Sequence, residues 1–376
     1  MTNIYTHHLC RVCCLGLWLW ACAPVLFLQA QIKLSPQDSS ASLRFSGYLE
    51  TYYVYDFANP ANHNRPEFMP SFNRHNEVNL NFAYLQAEYS AERVRGKLAL
   101  MTGTYANANL ADEPGVLKNI FEANIGVKLS TRRNLWLEAG IFASHIGFES
   151  AIGADCWTMT RSLAAENSPY YFSGAKLSYQ SDDEKWLLSI LYLNGWQRIQ
   201  RPRNNQVPAF GHQIQWTPSA KLMFNSSSFV GSDTDDPLVL MRYFHNFYTQ
   251  WQPWQRWSIL AGFDIGLEAK APDNTTEFNR WYTPQLLVRY QLSKRIFIAT
   301  RGEYYSDPNV VIIQTGTPNG LQAAGYTLNI DYRLTPQVLW RLEGRGLHAT
   351  ERVFVQGAAP AYDNFLLGTS LSLRLE

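Results

Sequence analysis

The chain has 376 residues, 32 Lys and Arg against 31 Asp and Glu, and 17% charged residues, low beside the about 25% of soluble proteins. Aromatics reach 14%, with 21 Tyr, 20 Phe and 12 Trp, yet mean hydropathy is −0.24, so apolar side chains are dispersed by alternation. Beyond residue 30 no apolar run is long enough for a helical membrane span, and the near-zero net charge gives nucleic acid no electrostatic footprint.

The first element is a leader. Arg11, with His7 and His8, precedes an apolar stretch at 15–28 and then Gln29, Ala30 and Gln31. That layout predicts a secretory signal peptide over 1–30, cut after Ala30, and a mature domain over 31–376. The run Leu19, Trp20, Ala21, Cys22 leaves a lipoprotein signal as the rival reading. Cys10, Cys13, Cys14 and Cys22 all lie in this leader, so Cys156 is the one cysteine of the mature chain. An intramolecular disulfide and a cysteine-based metal site are excluded, and no metal or cofactor is expected.

From residue 41 the side-chain period is two. Segments with this character run at 41–56, 77–89, 94–106, 120–130, 135–144, 170–179, 186–194, 209–216, 222–230, 239–250, 257–269, 281–292, 296–306, 321–333, 338–346 and 364–376. Over 321–333, Ala324, Tyr326, Leu328, Ile330 and Tyr332 share one face, and Gly325, Thr327, Asn329, Asp331 and Arg333 the other. Most segments approach the 9–11 residues that carry a tilted strand across hydrocarbon. Short connections such as 90–93, 131–134, 293–295 and 335–337 alternate with long ones at 57–76, 145–169, 195–208, 307–320 and 347–363. An even strand count with that alternation predicts an all-β, antiparallel up-and-down transmembrane β-barrel of about 16 strands, its turns in the periplasm and its loops outside.

Sixteen strands leave an interior too wide for side chains to fill, so the inner face should be wet and the apolar face should meet lipid. Aromatics cluster at both strand ends. Trp136, Trp186, Trp216, Trp251, Trp254, Trp257, Tyr290, Tyr332 and Trp340 lie beside short turns. Tyr52, Tyr53, Tyr105, Tyr170, Tyr171, Tyr192, Trp281, Tyr304 and Tyr305 lie beside long loops. Two belts predict two membrane interfaces. A TonB-coupled transporter is excluded by length, since 22 strands and a plug do not fit.

Short motifs then appear in order along the chain: Gly47-Tyr48-Leu49-Glu50, Gly140-Ile141-Phe142-Ala143-Ser144-His145-Ile146-Gly147, Asn167-Ser168-Pro169-Tyr170-Tyr171-Phe172, Phe244-His245-Asn246-Phe247 and Arg301-Gly302-Glu303-Tyr304-Tyr305-Ser306-Asp307. With these the mature chain resembles the putative beta-barrel porin-2 (OmpL-like) family. The resemblance implies a Gram-negative outer-membrane porin, a water-filled channel for passive diffusion of small hydrophilic solutes or ions. Outer-membrane lipids and the barrel-assembly machinery are its implied partners, and a homotrimer is a further one. The chain departs at its end, Leu373-Arg374-Leu375-Glu376, where such barrels usually finish on an aromatic residue that the machinery reads.

Selectivity is expected in two places. The longest connection, 145–169, follows the fifth segment, and by analogy with general porins it folds into the lumen, where His145, Glu149, Asp155 and Glu166 would mark a constriction. Gly147 and Gly153 would let it bend, and a solvated external loop is the alternative. Across from it, Arg289, Arg301, Glu303, Asp331, Arg333, Arg341, Glu343 and Arg345 fall on the inner face, because an arginine facing lipid at the midplane costs about 2–4 kcal/mol. A basic wall against an acidic loop would sort solutes by charge; cross-strand neutralisation is the alternative. No catalytic residue is expected. A barrel lipid hydrolase would need His212 or His245 to meet Ser226, Ser227 or Ser228 on the lipid face. A non-conducting structural or adhesive barrel is the other alternative.

Overall fold

Residues 41–234, 238–272 and 276–375 are described in the computed structural model of the chain. The leader expected over 1–30 lies outside these residues. The long strands are β1 (Ser42–Asp56), β2 (Val78–Ser90), β3 (Val94–Thr102), β4 (Ile120–Lys128), β5 (Asn134–Ala143), β6 (Tyr171–Gln180), β7 (Trp186–Leu193), β8 (Ala209–Ser219), β9 (Leu222–Ser232), β10 (Met241–Trp254), β11 (Trp257–Ala269), β12 (Phe278–Gln291), β13 (Ile296–Asp307), β14 (Leu321–Arg333) and β15 (Val338–Ala349). A small hairpin, β16 (Phe354–Gln356) and β17 (Ala359–Ala361), precedes β18 (Asp363–Leu375). Each long strand pairs antiparallel with its neighbour, β15 pairs with β18, and β18 pairs with β1, so sixteen strands close into a barrel without a free edge.

Alternation sets the two faces. Tyr326 and Leu328 are 65% and 53% exposed, whereas Thr327 and Asn329 beside them are 3% and 0% exposed. Leu85, Leu98, Ile125, Ile190 and Leu286 extend the outward apolar surface around the circumference. Among the described residues no helix is long and apolar enough to cross a membrane.

Most expected strands match within a few residues, and the differences have local causes. The segment expected over 94–106 stops at Thr102, because Gly103 adopts φ 122° against the Asn81 carbonyl, and a short helix, α1 (Thr104–Asn109), follows. Strand β10 runs on to Trp254 through a register shift between Trp251 and Trp254, which shortens the following turn.

The aromatic belt is thinner than expected at the long-loop end, whereas Trp186, Trp216, Trp251, Trp254, Trp257 and Trp340 are exposed beside short turns. Outward positions next to short turns hold Trp186 and Trp216, which stack 5.5 Å apart, and Trp257 against Tyr290 at 4.7 Å. Trp136 instead turns inward under the Arg95 guanidinium. At the long-loop end Tyr192 is exposed, but Tyr52, Tyr105, Trp281 and Tyr305 are buried. Where two aromatics are adjacent, as in Tyr52-Tyr53 or Tyr304-Tyr305, a strand can send only one of them to lipid.

The inward aromatics build a core inside the barrel mouth. Phe172, Phe229, Phe244, Trp281, Tyr305 and Leu347 from the strands enclose Met69, Ile146, Leu163, Trp196, Ile313 and Phe354 from five long connections. Each fully buried large side chain of this kind is worth about 1.5–3 kcal/mol. The long loops are therefore fastened inward by apolar packing.

Candidate functional site

Residues 144–170, between β5 and β6, run along the inner wall. At the start of this loop the buried His145 bonds the Ser228 carbonyl on β9 through Nε2 at 2.9 Å, and burial pushes its imidazole down to about 4. The Gly147 amide donates to Asn246 Oδ1 on β10 at 3.2 Å. Glycines on the wall make the room. A Cβ at Gly211 would stand 2.8 Å from His145 Nε2, one at Gly262 2.8 Å from the Phe148 ring, and one at Gly368 2.9 Å from Met159 Cε. The close approach needs no unusual backbone at these positions; it needs the absence of a side chain.

Three arginines then hold the loop. Arg341 on β15 binds Asp331 on β14 through Nε and Nη2, and it donates from Nη1 to the Gly153 and Thr158 carbonyls at 2.7 and 3.1 Å. Arg301 on β13 donates to Thr158 Oγ1 and the Thr160 carbonyl, both at 2.7 Å, and pairs with Glu303 at 3.2 Å and Glu149 at 3.5 Å. Arg345 donates to the Arg161 carbonyl at 2.9 Å and pairs with Glu303 at 2.8 Å. The wall also accepts: Glu343 takes the Met159 amide at 2.6 Å together with the Thr160 amide and hydroxyl, and Glu303 takes the Leu163 amide at 2.6 Å. Arginine suits this task because its fork satisfies a carboxylate and several carbonyls at once.

The expected wall thus divides in two. Arg301, Glu303, Asp331, Arg341, Glu343 and Arg345 all lie on the inner face, as alternation requires, but loop backbone covers them: the three arginines are 0–2% exposed. They are sequestered, not solvated. Arg333 is exposed and Arg289 half-buried on the same face, toward the short turns. Of the loop acids, Glu149 meets Arg301 and the Ser162 amide and hydroxyl, and Asp155, exposed, pairs with Arg374 at 2.5 Å. Glu166, in the short helix α2 (Leu163–Glu166), accepts the Ser71 amide and hydroxyl at 3.2 Å, and burial pushes its carboxyl up to about 7.

Charged residues on the opposite wall escaped the sequence reading. Arg95 and Lys176 both pair with Glu138, at 2.9 and 3.1 Å, and Lys97 pairs with Glu122 at 3.3 Å. These basic side chains on β3 and β6 are 24–38% exposed, and Lys176 lies over the buried Phe142, which fixes them on the inner face. The same period-two rule applied to β3–β6 locates them on the inner face.

Two of the serines do meet the two histidines on the outward face. Ser228 Oγ lies 2.5 Å from His212 Nδ1 and Ser226 Oγ 2.9 Å from His245 Nε2, all on the outward face, alternating with the buried Ser227, Phe229 and Asn246. Among the described residues no carboxylate or carboxamide meets the second ring nitrogen of either histidine.

A closed antiparallel barrel of sixteen strands, with one long loop bound along its inner wall, is the architecture of a bacterial outer-membrane porin. The chain belongs to the family described as putative beta-barrel porin-2, OmpL-like, whose model matches residues 42–375, and it is an outer-membrane porin channel. It is similar in fold to OmpT of Vibrio cholerae (TM-score 0.60, 12% identity, 92% of this chain and 99% of that one) and to the trimer form of the same protein (0.59, 10%, 89% and 99%). It is also similar to the anion-selective porin of Comamonas acidovorans (0.58, 8%, 89% and 99%). At these identities the likeness is one of fold. No curated protein sequence matches the chain.

Proposed function

We propose that the barrel passes small hydrophilic solutes passively through an aperture bounded on one side by loop 144–170 and on the other by β3–β6. The observation that carries this reading is the clamp of Arg301, Arg341 and Arg345 on the loop backbone, which holds it against the β13–β15 wall. The loop acids have local partners, and the paired charges Arg95, Lys97, Lys176, Glu122 and Glu138 line the β3–β6 side of the passage. We read the barrel as non-enzymatic. Among the described residues the outward Ser–His pairs meet no orienting acid, and the amides around them are engaged in the β8–β9–β10 ladders and so are not free to hold an oxyanion. We also propose a homotrimer, on the likeness to the OmpT trimer form.

Purified, heat-modifiable barrel added to a planar bilayer tests the reading. Stepwise ohmic conductance is expected, and liposomes carrying the protein should swell in small sugars. Folded protein that adds no steps at any voltage would refute it. Native mass spectrometry from detergent reads the subunit number.

A further inference from the structure

The six inner-face arginines of β12–β18 are not equally engaged. Arg301, Arg341 and Arg345 are tied to the loop and to wall carboxylates, and Arg374 to Asp155. Arg289 and Arg333 have another arrangement. Both guanidinium groups lie over the ring of Phe297, with Cζ 4.3 and 4.7 Å from its centroid. Neither has an ion-pair partner among the described residues, and Nε of Arg289 is buried without a hydrogen-bond partner.

The acids of the same wall are already engaged. Asp331 stands opposite Phe297 in the β13–β14 ladder, but both its oxygens are taken by Arg341 and one also by Asn329 at 2.6 Å. Glu303 is shared by Arg301 and Arg345, and Glu343 is filled by the amides of residues 159 and 160. The adjoining turn adds exposed Lys294 and Arg295, of the same sign. Two cations on one ring repel each other, and each retains N–H donors in a planar fork that matches an oxyanion. An anion seated between them would relieve the repulsion and satisfy the orphaned Nε.

We infer that Arg289 and Arg333 form an anion subsite on the inner wall at the short-turn end, which takes the carboxylate or phosphate group of a permeating solute. This rests on the diffusion reading above and gives it a solute class. Phe297 sets the spacing of the two guanidinium groups and keeps them from folding against the wall.

Two measurements on refolded barrel separate the subsite from the channel. In a potassium chloride gradient, Arg289→Gln/Arg333→Gln should lower the anion-to-cation permeability ratio by at least about fourfold, the weight of one unit charge at roughly 5 Å in water. Arg289→Lys/Arg333→Lys should retain most of it. Inorganic phosphate followed by phosphorus NMR should broaden with wild-type protein and stay sharp with the Gln variant. Arg333→Gln alone, at an exposed position, serves if the double variant does not fold. A conducting variant with an unchanged ratio, or phosphate broadening equal in variant and wild type, overturns the subsite. Protein that binds phosphate and never conducts overturns the diffusion reading instead.

Discussion

Arg341 holds Asp331 through Nε and Nη2 at 2.8 and 3.0 Å, while the same guanidinium donates to the carbonyls of Gly153, Cys156 and Thr158 on the loop. One side chain therefore joins two strands to a segment some 180 positions earlier in the chain. The carboxylate neutralises the arginine, and the arginine satisfies backbone that has no ladder to join. Removing either leaves a buried charge alone.

Replacing Arg341 by Ala should free the loop. Breaking a buried pair from one side costs about 3–5 kcal/mol, because the partner charge stays buried. Cys156 reports the event. Its thiol is buried and pushed up to about 11 by that burial, so wild-type barrel should resist maleimide. In Arg341→Ala the thiol should be alkylated readily and single-channel conductance should rise. Unchanged labelling and conductance would remove the clamp from the mechanism.

The glycine niches predict a steric route to the same state. A side chain at Gly368 would meet Met159, so Gly368→Leu should displace residues 158–160, at a cost of about 1–3 kcal/mol for overpacking. Met159→Ala in the same chain should restore the docked loop. Conductance and Cys156 labelling in the single and double variants measure both effects; a double variant as open as the single would show that the niche does not seat Met159.

Docking of the loop against residues 66–72 should depend on pH through Glu166. The carboxyl ordinarily titrates near 4.5 and is held up to about 7 here, chiefly by burial, with Arg161 and Arg345 pulling the other way. Because the docked form favours the proton, its contribution is complete below about 4.5 and is lost as pH rises through about 7, with a span of roughly 3 kcal/mol. Hydrogen-exchange protection of residues 66–72 and 162–168, corrected for intrinsic exchange, should fall from pH 5 to pH 8. Glu166→Gln should keep it level across that range, and an identical slope in the variant would assign the effect elsewhere.

The orientation of the wall can be read with nitroxides. A label at Leu328 should be relaxed by oxygen dissolved in lipid, and one at Lys97 by a water-soluble nickel chelate. Exchange of the two responses would invert the barrel's faces.

Most of the barrel is legible in the sequence because a strand writes its two environments in alternate residues. The segments expected at 257–269 and 321–333 coincide with β11 and β14. The inward placement of Arg301, Arg341 and Arg345 follows from the same rule. That these arginines meet loop carbonyls and not water does not follow from it. Alternation reports which side of a strand a residue faces; what covers that side is decided by contacts far away in the chain, such as Thr160 with Glu343 or Gly147 with Asn246. Trp281 and Tyr305 misled for a related reason: an aromatic near a strand end suits an interfacial belt and an apolar core equally well, and position alone does not choose.

The clamp has a consequence for life in water of varying salinity. Coulombic contacts sealed from solvent are screened little, whereas exposed charges act over a Debye length that shrinks from about 30 Å at 0.01 M salt to about 8 Å at 0.15 M. Arg341 and Asp331 belong to the first kind, Arg333 to the second. Freshwater and brine should therefore find a hole of the same diameter with a different taste in ions, fastidious when dilute and indifferent when concentrated, and no part of the protein has to move for the change.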